Sequence, residues 1–338
     1  MSHSHQIKRT VAIGAFGPLV TRFVPGGYRP DLVGESAPTR VARVVEAIGE
    51  IIDGVELYYP YGVDQETAES VRSAIGEHDV YAVAIAHHPD PRFARGALSS
   101  PDDSVRESAL ERVRAGIQVA ASFGARVIVW PGVDGFNYPF QTSYRESWSR
   151  LLDALVEAAG LCQSQGLELL LEPKGSEPAM KIHLRDAGTA LHVIDRLRAQ
   201  GLENVRVNMD WQNVILRRDS LAETASLLAL GDALGHQHAS AGWGSNDDKN
   251  IVGSTLFMET LELALVLGEL EYGNHGERLG FDLYPYTEDP AAAVRQSITQ
   301  WEFLEDVAAR IDADRLRQAR AQKDAVAAYD AVYDALRG

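Results

Sequence analysis

The sequence predicts a (β/α)8 barrel, and three observations lead there. Short β-like runs, about eight of them, recur at roughly 25–40 residue spacing, each followed by a longer stretch with apolar residues at i, i+3 and i+4. One run, Leu169-Leu-Leu-Glu172-Pro-Lys174, passes abruptly from leucines to a carboxylate, a proline and an ammonium. A buried parallel strand reads this way when its C-terminal end opens into a site. No glycine-rich dinucleotide fingerprint follows the first run, which weakens the alternative of an open doubly wound sheet.

The predicted strands are Val11–Phe16, Gly54–Tyr58, Val80–Ala86, Arg126–Trp130, Leu167–Glu172, Val205–Asp210, Gly235–Ser240 and Leu279–Leu283. Between them, helical periodicity covers Thr39–Ile51, Gln65–Ile75, Asp103–Ala121, Tyr144–Gln163, Leu184–Ala199, Leu221–Leu230 and Thr255–Leu267, and Pro290–Ala309 supplies the eighth helix. Ser104 with Glu107 has the spacing of a capping box. After Ala309 the stretch Ala313–Arg337 predicts one more helix, which either overhangs toward a neighbouring subunit of an oligomer or packs on its own barrel. The chain thus divides into a barrel over 1–309 and a C-terminal helical extension over 310–338.

With 338 residues, 45% apolar and 24% charged, the chain has the composition of a globular protein large enough for one such barrel. A net charge of −16 argues against nucleic acid as a partner. The lone Cys162 cannot form an intrachain disulfide, and neither a signal-peptide core nor a membrane-length apolar run is visible. These features predict a cytoplasmic protein without a membrane partner.

Polar groups at the C-terminal ends of barrel strands read as functional. Predicted strands five to eight finish on Glu172, Asp210, His238 and Asp282, three carboxylates and one imidazole. Such a set suits Mn²⁺, Mg²⁺ or Co²⁺ better than a structural zinc, which calls for thiolates. His236 lies two positions before His238 and points to the same side of the strand, as a substrate contact or as a hydrogen-bonded core residue. The loop Ser245-Asn-Asp247-Asp248-Lys249 holds adjacent carboxylates that bind a second cation, with Asn213 approaching, or form a solvated turn. His87-His88, Trp130 and Tyr58-Tyr59 close strands three, four and two, and Phe136, Tyr138 and Phe140 add aromatic surface to the same rim. So much flat apolar surface suits a ligand with an aromatic ring.

Taken in order, Trp130-Pro-Gly132, Glu172-Pro-Lys174 with Glu177-Pro178, Asn208-Met-Asp210, His236-Gln-His238, Asp247-Asp248 and Phe281-Asp282 with Thr287-Glu-Asp289 resemble the xylose isomerase-like TIM barrels from about Val80 to Asp289. The resemblance implies a principal divalent ion on Glu172, Asp210, His238 and Asp282. His238 stands where xylose isomerases carry aspartate and where rhamnose isomerases and ketose epimerases use histidine. It further implies that Lys174 steadies a substrate oxygen and that Trp130 walls the sugar site. Aldose isomerases of this type place a histidine–aspartate pair at the end of strand two to open the sugar ring; here Glu56-Leu-Tyr58-Tyr59 stands there. A tyrosine, with an ordinary pKa near about 10, is a poor proton shuttle near neutrality.

Loss of that pair and gain of an aromatic rim are similar to the α-subunits of C-glycoside deglycosidases. Those enzymes bind a divalent cation and act with a small β-subunit on 3-oxo-glycosides, by enolisation and elimination. The first expectation is therefore a metal-dependent lyase on an aryl glycoside, with Lys174, His236, His87 and His88 as candidate acids and bases, Tyr58, Trp130 and Phe136 against the substrate, and a β-subunit as partner. The alternative is an aldose–ketose isomerase or epimerase on a free sugar. An apurinic-site endonuclease shares the barrel but needs a basic DNA face, and a non-catalytic partner barrel would take up no metal.

Overall fold

Eight buried strands form: β1 (Lys8–Ala12), β2 (Gly54–Tyr59), β3 (Asp79–Ile85), β4 (Arg126–Val129), β5 (Leu169–Leu171), β6 (Val205–Asp210), β7 (Leu234–Ala239) and β8 (Arg278–Phe281). In the computed structural model, which describes residues 7–131, 133–177 and 181–338, they close in sequence order into one barrel with every neighbouring pair parallel. The surrounding helices are α1 (Ala37–Ile48), α2 (Ala68–Ile75), α3 (Asp103–Phe123), α4 (Tyr144–Ser164), α5 (Ala187–Arg198), α6 (Trp211–Arg217), α7 (Leu221–Leu230), α8 (Phe257–Glu269) and α9 (Pro290–Arg310), followed by α10 (Ala313–Gln322) and α11 (Ala325–Arg337).

Strand alternation divides the molecule into two cores. Outward residues such as Val55, Leu57, Val83, Ile85, Leu169, Leu171, Val207 and Phe281 join the helices in the main apolar cluster. Among the inward residues, Ala82, Ile128 and Leu170, with Tyr81 beside them, make a separate small cluster. The same inward alternation brings Thr10, Glu56, Asn208, His236 and His238 together from β1, β2, β6 and β7, all buried. The barrel interior is thus apolar on the β3–β5 side and polar on the other. Below it, Arg278 forks onto Asp79 at 2.6 and 2.5 Å, and the Tyr81 ring lies between the Arg126 and Arg278 guanidiniums at 4.5 and 4.6 Å.

Three sequence expectations are corrected, and one helix that the sequence did not predict is added. The first strand runs over Lys8–Ala12, because β8 pairs with it from Lys8 to Val11, and Ile13–Phe16 turns into a short 3-10 helix that buries Phe16. The cap of α3 is Asp102, not Ser104: its carboxylate accepts from the amides of Ser104 and Val105 at 2.9 and 3.2 Å, a stronger acceptor two residues earlier. The terminal helix is two helices. Lys323 adopts a left-handed conformation (φ 56°) and Asp324 caps α11, so the chain folds back and Arg310 donates to the carbonyl of Ala335. Finally, α6 follows β6 without a loop. Its first residue, Trp211, is fully buried, donates to Gln237 at 2.7 Å and packs on Trp301.

Among the described residues, no helix is long and apolar enough to cross a membrane. Leu170 is completely buried in the small interior cluster. Leu170→Ala is therefore expected to lower unfolding free energy by about 2–5 kcal/mol in urea titration, and an unchanged midpoint would contradict this packing.

Candidate metal centre

The four residues proposed as ligands arrive from four consecutive strands by the same device, an inward position at the strand's C-terminal end. Glu172 follows β5 and Asp282 follows β8, while Asp210 is the last residue of β6 and His238 the fifth of β7. Asp210 also caps α6, accepting from the Asn213 amide at 3.2 Å, which fixes its carboxylate. His238 Nδ1 faces Glu172 Oε2 at 3.5 Å, Asp282 Oδ2 at 3.6 Å and Asp210 Oδ2 at 4.0 Å. Glu172, Asp210 and His238 each offer a donor atom within 4.8 Å of the others. Three hard carboxylates and one imidazole fit a Mn²⁺- or Mg²⁺-class ion. Near them, Asn208 Oδ1 and both side-chain polar atoms of Asn213 are buried without a hydrogen-bond partner, so the surroundings retain unused polar capacity.

Glu56, which the sequence did not single out, organises the centre from beneath. One of its carboxylate oxygens lies 2.8 Å from His238 Nε2, and the other lies 2.9 Å from His236 Nε2 and accepts from the Thr10 hydroxyl at 2.5 Å. Since a carboxylate accepts, Nε2 of His238 carries the proton toward Glu56, and Nδ1 is the nitrogen turned to the other carboxylates. Room for this arrangement exists because residue 280 is glycine: a Cβ there would run into the Glu56 carboxylate and the His236 ring. Burial opposes ionisation of Glu56, but the two histidines outweigh it and hold the carboxyl well below its ordinary range. Burial likewise opposes the charged form of His238, yet Glu56, Glu172 and Asp282 push its pKa up to about 10.

His236 is fully enclosed, with Nδ1 2.8 Å from the carbonyl of Arg278, and burial lowers its pKa. Both ring nitrogens are thus engaged within the barrel. The Glu172 carboxyl is raised above its usual range by burial and by Asp210 and Asp282, with His238 and Lys249 pulling the other way. Lys249, which the sequence showed only as the end of a polar loop, reaches into the centre. Its Nζ donates to Asp210 Oδ2 at 2.5 Å and to Asp282 Oδ2.

On the mouth side, Lys174 donates to Asp247 at 2.5 Å and sits 5.2 Å from the Trp130 ring centroid. His88 packs on Trp130 at 4.4 Å, and burial together with the Lys174 charge lowers its pKa to about 4. Trp130 Nε1 and Asp247 Oδ1 are buried without partners there. Tyr58 places its hydroxyl 3.5 Å from Asp282 Oδ1.

Two candidates lie apart from this group. His87 bonds the carbonyl of Ala109 through Nε2 and packs edge-on against Phe93, and burial pushes its pKa down to about 4. Phe136 is buried against Tyr144 and His183. The Asp247–Asp248 pair is an internal strut rather than a solvated turn. Asp247 takes Lys174, while Asp248 accepts from Gln212, from the Trp243 amide and from Asn250. Gly132 and Pro178, members of two motifs, lie outside the described residues.

A parallel barrel that gathers three carboxylates and an imidazole at its C-terminal face defines a candidate divalent-metal centre in a TIM barrel. The chain belongs to the xylose isomerase-like TIM barrel family, whose sequence model matches residues 41–288. It is 34% identical over 119 residues to the xylose isomerase of Thermus thermophilus, covering 33% of this chain and 31% of that protein. With the Burkholderia multivorans xylose isomerase it shares 27% over 198 residues, 57% of this chain and 43% of that one. The matches thus span less than half the length of these curated relatives. Among solved structures, the E. coli 3-keto-D-glucoside 4-epimerase superposes with a TM-score of 0.64 at 18% identity, covering 88% of this chain and all (100%) of that one. An L-ribulose 3-epimerase gives 0.65 at 17%, covering 90% of this chain and 96% of the other. At these identities the likeness shows the fold.

Glu56→Gln replaces the carboxylate that touches both histidines by a group with one carbonyl and one amide. Affinity for Mn²⁺, measured by calorimetry, is expected to fall about 10–100-fold, and an unchanged affinity would contradict the orienting role. The carboxylates around His238 favour its charged form, whereas a ligand imidazole is neutral. Ion uptake therefore releases protons, and affinity rises between pH 6 and 8, which calorimetry in buffers of different ionisation enthalpy will read; pH-independent uptake would contradict it. The folded value exceeds the ~6.5 of a free histidine, so this pairing's stabilisation is complete below that pH and is lost as the pH rises through about 10.

Proposed function

We propose that the chain is a divalent-metal-dependent sugar isomerase or epimerase that moves a proton on the carbon next to a sugar carbonyl. The observation that carries this reading is the convergence of Glu172, Asp210 and Asp282 on His238 Nδ1. An ion held by these four residues supplies Lewis acidity toward a carbonyl oxygen. The xylose isomerases and sugar epimerases that the chain resembles support this over the lyase expected first from the sequence.

The rest of the chemistry falls to the protein. Glu172 is the least buried of the three carboxylates, at 13% side-chain exposure against 1% for Asp210 and 7% for Asp282. As the most accessible of the three, it is the group placed to take up and return the substrate proton. Lys174, held by Asp247 and the Trp130 face, donates a hydrogen bond to a substrate oxygen, and Trp130 covers the apolar face of the sugar. With Tyr58, its pKa raised by burial, at the end of β2, no ring-opening shuttle stands there. The substrate is therefore a ketose or a ring-closed oxo-sugar rather than a cyclic aldose.

A second reading, the lyase acting on an aryl 3-oxo-glycoside with a β-subunit, is favoured by one observation. The loops after β2, β4 and β7 expose Tyr61, Tyr138, Phe140 and Trp243 at 55% or more of their surface, flat apolar area beyond what a bare sugar needs. Mn²⁺-loaded protein in D₂O, offered ketoses, 3-oxo-glucosides, an aryl 3-oxo-C-glycoside and aldoses, separates the readings. Deuterium is expected next to the carbonyl of a ketose or 3-oxo sugar, with the rate falling about 10²–10⁴-fold in Glu172→Gln. Release of the aryl group would favour the lyase, and turnover of aldoses alone would overturn the proposal.

A further inference from the structure

We propose that Lys249 and the divalent ion are alternative occupants of one seat, so that metal uptake requires the Lys249 ammonium to be displaced. The inference rests on the metal-centre reading above and adds a competitor built into the chain. Lys249 Nζ contacts the same two oxygens, Asp210 Oδ2 and Asp282 Oδ2, that face His238 Nδ1. An ion bound to those oxygens sits about 2.0–2.2 Å from them, which leaves no room for an ammonium already hydrogen-bonded to both. The positive charges also repel.

The backbone around Lys249 is pinned. Its carbonyl accepts from the Tyr284 amide at 3.0 Å, the neighbouring Asn250 forms a two-bond bridge with Ala241, and Lys249 itself is held at φ 41°. Displacement therefore proceeds by rotation of the side-chain stem rather than by movement of the loop. The stem has somewhere to go. Lys249 also lines a cavity of about 240 Å³ with Trp243, Tyr284, Pro285 and Glu288, where the Glu288 carboxylate supplies a counter-charge. Tyr284 flanks the path, with Nζ 5.6 Å from its ring centroid.

The competition has a direct readout in binding. Titration of Mn²⁺ into Lys249→Met is expected to give an affinity about tenfold or more tighter than the unsubstituted protein, within the usual range for two coupled occupants. In the unsubstituted protein, reductive dimethylation of Lys249, followed by mass spectrometry, is expected to be slow without metal and to speed up with saturating Mn²⁺. That labelling needs no variant and so stands if Lys249→Met does not fold. Equal or weaker affinity in the folded variant, or labelling indifferent to Mn²⁺, would overturn the proposal while leaving the metal centre in place. Uptake by neither protein would remove the metal reading itself.

Discussion

Carboxylates packed into one barrel mouth repel one another, and the rest of this centre answers that constraint. Glu56, Glu172, Asp210 and Asp282 are brought together with little water to screen them, so the fold is satisfied only if cations stand between them. His238 supplies charge on one side, held by Glu56, and Lys249 on the other, held by Asp210 and Asp282. A barrel built only for stability would fill this layer with aliphatic side chains, as it does at Ile128 and Leu170 on the opposite side. Concentrating negative charge in half of the interior, against the hydrophobic drive to bury apolar groups, suits a site for a cationic ligand.

The centre is layered along the strands. Nearest the bottom, Thr10, Glu56 and His236 form a closed hydrogen-bonded base, completed by the missing side chain at Gly280. Above it lie His238, Asp210 and Asp282, with Glu172 at the edge. The outermost level is the Lys174, Asp247, Trp130 and His88 group, where orphaned polar atoms on Trp130 and Asp247 await partners. Each level orients the next: Glu56 sets the tautomer of His238, and Asp247 aims Lys174.

What could be read from the sequence follows from how local its causes are. Runs such as Val205–Asp210 and Leu221–Leu230 coincide with their elements because burial on a strand or helix face leaves a local pattern. The metal candidates could be picked out because a carboxylate ending an apolar run is conspicuous in one dimension. Glu56 escaped because its partners lie 180 and 182 positions away, and nothing adjacent marks it. Lys249 was masked by its setting, a polar loop that reads as solvated until Tyr284 and Asn250 fix it inward. The terminal helices show the limit of periodicity: Lys323–Asp324 fits a continuous helix by composition, and only the cap geometry at Asp324 reveals the break.

The most direct measurement is a crystal structure of Mn²⁺-soaked protein with anomalous data collected near the manganese edge. The expected result is one strong peak bonded to Glu172, Asp210, Asp282 and His238 through Nδ1, with Glu56 still on Nε2. A peak elsewhere, or His238 ligating through Nε2 with Glu56 turned away, would contradict the arrangement on which everything above it is built.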